Sequence, residues 1–221
     1  MSIGLKVNDM VHSGMLGTQQ WYSQPEMQQQ LQLEMEVMKP HVGEIKWGVN
    51  VGTLPDGRMY WKIRQPIKAE RANGRGTLYN SVYDIMLVYE PDHPKGKWGT
   101  SVHAYLKAPN DLTWLQSRVN RSPRTPKNIP HVLTDNEGNK YLCTAHYNDF
   151  GTSYNDPRGV PTAKTALLCA IKWLHNFECG LLSQEHWNLF QQHQSPDPST
   201  HCGPQCAQIP NLAFLNHSGT L

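Results

Sequence analysis

The sequence predicts an α+β fold: an N-terminal helix, an antiparallel four-stranded meander, a loop carrying the candidate active site, and C-terminal helices packed to one side. Three observations predict it. Apolar residues recur at helical spacing within residues 25–38 and 162–177. Four runs rich in β-formers, each bounded by turn signals, lie between those helices. A long connection follows the last run and holds a cysteine just past a turn.

The first twenty residues carry three glycines and no sustained apolar run, so residues 1–22 are read as an arm. Ser23 is a candidate cap and Pro25 suits a first helical turn. Met27, Leu31, Met35 and Met38 then form one apolar stripe, and Pro40 is expected to end the helix. Ile45, Trp47, Val49 and Val51 alternate, which predicts a strand with one buried face. The Leu54-Pro55-Asp56-Gly57 segment is a turn signal, and residues 59–63 return as a second strand. Residues 82–89 are nearly continuous β-formers, as expected of a central strand, and the Pro91 and Pro94 region stops them. Residues 101–106 give the fourth strand. A short helix over residues 111–119 and an exposed basic loop over residues 121–127 follow. Thr162 is a plausible N-cap for the most helical stretch and Gly180 a plausible end signal. A second helical piece covers residues 184–192. The main domain is read as residues 23–194, with a polar tail at 195–221.

Composition narrows the functional classes. The chain has 221 residues, a net charge of +2 and 38% hydrophobic residues, which suits one domain with extensions. Twenty Lys+Arg against eighteen Asp+Glu, with no long block of like charge, give no expectation of a nucleic-acid or membrane-surface partner. No apolar run approaches a membrane span, and no signal peptide is read at the N-terminus, so the expected location is cytoplasmic. Five cysteines without a secretory signal argue against a disulfide framework. No Gly-rich phosphate loop is present, so an NTPase is not expected, and no cofactor is implied.

The candidate chemistry lies in residues 129–149. Asp135 to Gly138 read as a turn, Tyr141 and Leu142 lead out of it in extended form, and Cys143 stands on the lip of the loop that runs to Thr162. A thiol so placed can be exposed on one side, where a nucleophile is useful. The order of elements here resembles that of ubiquitin-conjugating enzymes. Residues 25–38 match that family's first helix and residues 45–106 its meander. Tyr89-Glu90-Pro91-Asp92-His93-Pro94 resembles its proline-bearing turn. His131, Glu137-Gly138 and Leu142-Cys143 match its active-site segment, and residues 162–177 look like the following helix of bacterial members. Three departures stand out. His131 is followed by Val132 and Leu133 where the family usually has proline and asparagine, residues 107–130 look inserted, and Thr144 replaces a usual leucine.

The resemblance implies that Cys143 carries a ubiquitin-like modifier as a thioester and passes it to an acceptor amine. It implies an adenylating enzyme as donor and, as in bacterial gene clusters linked to phage defence, an accompanying metallopeptidase. His131, His146 and Asp149 are the groups near enough in sequence to assist, with His131 alternatively fixing the loop by a hydrogen bond. Three other readings stay open: a non-catalytic binding module of the same fold, a different cysteine enzyme pairing Cys143 with His131 or His146, and a phage or defence accessory protein with a structural role. Cys169 and Cys179 read as packed thiols. His201, Cys202 and Cys206 resemble half of a zinc site but lack clear further ligands, so they are read as tail and no metal is expected.

Overall fold

The computed structural model describes residues 20–44, 49–71, 76–95, 100–122, 128–144 and 159–192, with the side chains of 39–44, 49 and 50 outside that description. The arm up to residue 19 and the tail from 193 onward therefore lie outside the described residues.

Two short 3-10 turns, Trp21–Ser23 and Pro25–Met27, lead into helix α1, Gln28–Glu44. Ser23 does not cap the helix. Its hydroxyl donates to the carbonyl of Gln20 at 2.7 Å, inside the first turn. The expected apolar stripe forms: Met27, Leu31 and Met38 are buried and Met35 packs against the same core. The helix also runs past Pro40 instead of ending there. Three turns of helix already precede the proline, and the loss of one backbone donor there does not end it.

The sheet has six strands where four were expected. They are β1 Val49–Thr53, β2 Met59–Glu70, β3 Thr77–Tyr89, β4 Val102–Lys107, β5 Val132–Thr134 and β6 Lys140–Leu142, in the order β1-β2-β3-β4-β6-β5 with every pair antiparallel. The first four form the expected meander. The other two come from the segment read as an active-site loop. At three residues each, they are too short to display an alternation in sequence. β2 also runs seven residues beyond its expected end, through Pro66. Within that extension Pro66 stands opposite Val82 of β3.

Helix α2, Leu112–Arg121, begins at Asp111, whose carboxylate accepts from the Trp114 amide. It is bolted to helix α3, Ala163–Leu182, by Arg118, whose guanidinium donates twice to the buried Glu178 carboxylate at 2.7 Å each. Burial alone would raise the Glu178 pKa; Arg118 and the Tyr83 hydroxyl reverse that and hold it low. Thr162 caps α3 in a reciprocal box with Thr165. Gly180 does not end α3, which continues to Leu182. Its place is fixed instead by helix α4, Gln184–Gln191, because a Cβ there would stand 2.7 Å from the Trp187 ring. No described helix is long and apolar enough to cross a membrane.

A single buried carboxylate joins three of these elements. Glu34 of α1 accepts from the Tyr89 hydroxyl of β3 at 2.6 Å, from the Ala163 amide of α3 at 2.9 Å and from Gln30 at 3.0 Å. Desolvation dominates those donors and raises its pKa to about 7. His93, in the turn after β3, lies 3.9 Å from the same carboxylate and is pushed down to about 3 by burial, so it stays neutral.

Two outcomes follow from this packing. Gly180→Ala gains roughly 1 kcal/mol of helix propensity but overpacks a fully buried tryptophan at about 1–3 kcal/mol, so urea denaturation should show a net loss of up to about 2 kcal/mol. Glu34 should also shape stability against pH. The folded protein holds its proton up to about pH 7 and the unfolded chain releases it near 4.5, so folding takes up a proton in that window and stability falls as pH rises through it. Denaturation of wild type and Glu34→Gln across the window should show their difference changing by on the order of 3 kcal/mol, then levelling above pH 7.

Candidate active site

The β5–β6 hairpin places Cys143. Its turn spans Asp135 to Asn139, with Gly138 at φ 84°, a left-handed conformation that glycine takes without strain. Asp135 organises it: one carboxylate oxygen accepts from the amides of Glu137 at 2.9 Å and Asn139 at 2.7 Å, the other from the Asn139 side chain and from the Tyr105 hydroxyl of β4 at 2.9 Å. Desolvation pushes the Asp135 pKa up, and these donors more than offset it, so the carboxyl sits below its usual range. Arg58 adds a second tie, bonding Asp56 in the β1–β2 turn at 2.6 Å and Glu137 at 3.1 Å. The hairpin's pairing with the rest of the sheet centres on Ala104 opposite Leu142.

Cys143 follows Leu142 and continues the ladder, its amide donating to the His131 carbonyl at 2.8 Å. It is half-buried, as is Cys169, whereas Cys179 is wholly enclosed. His131 is thus brought to Cys143, but through its backbone. Its imidazole instead donates from Nε2 to the Phe190 carbonyl at the end of α4 and meets the Phe190 ring edge-on. His131 also holds φ 55°, a left-handed conformation for a residue with a Cβ. Such strain persists only where surrounding contacts over-determine it. His146 and Asp149 lie outside the described residues, as do His201, Cys202 and Cys206.

Sequence reading missed a second histidine. The antiparallel register that pairs Ala104 with Leu142 brings His103, one residue earlier in β4, level with Cys143. Leu142 and Ala104 face the main core, while Tyr141, Tyr105 and Val88 cluster on the opposite face. Alternation puts His103 and Cys143 on that second face. His103 stacks on Tyr141, with ring centroids 4.1 Å apart and an interplanar angle of 11°. Its Nδ1 lies 3.0 Å from Glu90 Oε1, close enough for charge pairing although poorly aligned for a linear hydrogen bond. The His103 contact holds the Glu90 carboxyl below its ordinary range. Desolvation, with a smaller push from nearby carboxylates and Cys143, raises Tyr141 to about 12, so its hydroxyl stays protonated. The one available signal was the alternation of residues 101–106, which turns His103 and Tyr105 outward. It could not name Cys143 as a neighbour without the β4–β6 pairing.

A second constellation has the look of a catalytic triad and is structural. Ser101 Oγ lies 2.8 Å from His93 Nδ1, and His93 Nε2 faces Glu34, yet all three are at most 2% exposed. Among the described residues, no three His, Cys, Asp or Glu side chains converge to hold a metal ion. No protein-family model, curated protein or solved structure matches the chain.

Removing the Asp135 carboxylate should loosen the segment that carries the thiol. Asp135→Ala is expected to lose about 1–2 kcal/mol of stability and to accelerate hydrogen exchange at the Cys143 amide more than at β2 or β3 amides.

Proposed function

We propose that the protein is a conjugating-type acyl carrier whose Cys143 holds a ubiquitin-like modifier as a thioester. The observation that carries the reading is the placement of one half-buried thiol at the exit of a braced hairpin, between two histidines in register. The order of elements supports it further: an N-terminal helix, a meander, a proline-bearing turn, a hairpin ending in Leu142-Cys143, and then α3. That order is the basis of the resemblance to ubiquitin-conjugating enzymes.

The chemistry is two acyl transfers. The Cys143 thiolate attacks a modifier thioester on an adenylating enzyme, the new C–S bond forms, and the donor's thiolate leaves. An acceptor amine then attacks the Cys143 thioester, the C–S bond breaks, and the nitrogen's proton leaves through a base as an amide forms. Neither step needs a cofactor, because the thioester is already activated. A cytoplasmic setting with a dedicated adenylating enzyme and a metallopeptidase that trims or reverses the conjugate is consistent with this role.

Cys143→Ser expressed in the native host tests the role, since a serine there traps a transferred acyl group as a more durable ester. Intact mass and peptide mapping should show a small-protein adduct at residue 143. No adduct, with a wild-type Cys143 that alkylating reagents cannot reach in the folded protein, would replace the carrier with a binding module of the same fold.

A further inference from the structure

From the register of the sheet we infer that His103, backed by Glu90, is the proton partner of the Cys143 thiol. The assignment rests on Cys143 being the reactive thiol of the proposed carrier and names the group that ionises it. The S–H bond breaks with its electron pair left on sulfur, the proton passes to His103 Nε2, and a thiolate–imidazolium pair results. Nδ1 is the nitrogen that faces Glu90, which leaves Nε2 as the acceptor.

Three observations place the pair. Extending the Ala104–Leu142 pairing by one residue sets Cys143 across from His103, a spacing at which paired Cβ atoms stand roughly 5 Å apart. The stacked Tyr141 ring fixes the imidazole plane on the side of β4 that faces β6, and Cys143 directly follows β6. Glu90, just after β3, places a carboxylate oxygen 3.0 Å from the His103 Nδ1. The imidazole of His131 is turned toward α4, where its Nε2 donates to the Phe190 carbonyl. Among the described residues, the other charged and titratable groups near this face include Arg58, Asp135, Glu137, Tyr60, Tyr105 and Tyr141. Arg58 and Asp135 act on Glu90 with opposite sign, and Tyr105 and Tyr141 stay protonated at neutral pH.

The test is the alkylation rate of Cys143 by iodoacetamide, followed by peptide mass mapping from about pH 5 to about pH 10. A free thiol ionises near ~8.5. Wild-type Cys143 should react at least a pH unit lower, and His103→Gln should move the profile back toward the free-thiol value, slowing alkylation at pH 7 roughly tenfold. Glu90→Gln keeps the imidazole on Tyr141 but removes the carboxylate charge beside its Nδ1, so its rate at neutral pH should fall between the two. Superimposable profiles for wild type and His103→Gln overturn the assignment, as does a Cys143 that does not alkylate in the folded protein. Should His103→Gln lose its circular-dichroism signal, Glu90→Gln decides alone, and a wild-type rate from it overturns the assignment. Adduct capture on Cys143→Ser reads the carrier role without any histidine. Capture with no His103 effect defeats only this inference, and a His103 effect with no capture defeats only the carrier role.

Discussion

The Glu34 carboxylate is the interaction on which the arrangement of the domain depends. It sits on α1, takes the Tyr89 hydroxyl from the central strand and takes the first amide of α3. A helix that approaches a sheet by apolar contact alone can slide, because dispersion is indifferent to register. Two directional donors, one from the sheet and one from α3, converging on one fully buried acid remove that freedom. The arrangement carries an electrostatic penalty, visible in the raised Glu34 pKa, and the penalty is tolerated because every lone pair of the acid that meets protein meets a donor.

The thiol segment is held by a different logic. The β5–β6 hairpin has too few backbone pairs to define its own position, so side chains supply the definition. Tyr105 and Arg58 grip the turn, and His131 grips the end of α4. These ties come from β4, from the β1–β2 turn and from α4, three places far apart in sequence. The thiol is therefore located by long-range contacts even though the strand it follows is only three residues long.

That division explains what could be read from the amino-acid order. The helical stripe through Met27, Leu31 and Met38, the alternating strands, the Thr162 cap and the turn at Asp135 all write their signal locally. Each was legible, and Cys143 stood out beside that turn. Three features were not legible, and each depends on a partner distant in sequence. β5 and β6 become strands only because β4 offers an edge. Gly180 looks like a stop signal until Trp187 needs the space. His103 becomes a neighbour of Cys143 only once Ala104 is known to face Leu142. Polar residues inside α1 were hidden for the same reason, since nothing near Glu34 in sequence announces that Tyr89 and Ala163 will reach it.

The His131 tether has an evolutionary consequence. Its two ends answer to different pressures, because the donor is a side chain and the acceptor is a main-chain carbonyl. Any residue at position 190 still presents a carbonyl, so drift there is limited only by how its side chain fits among His131, Trp173 and Trp187. Position 131 must supply a ring N–H of the right reach while tolerating a left-handed backbone, and few side chains do both. In a lineage of such proteins the helix end can therefore diversify while the histidine stays, and the anchorage of the thiol segment survives changes in the surface that surrounds it.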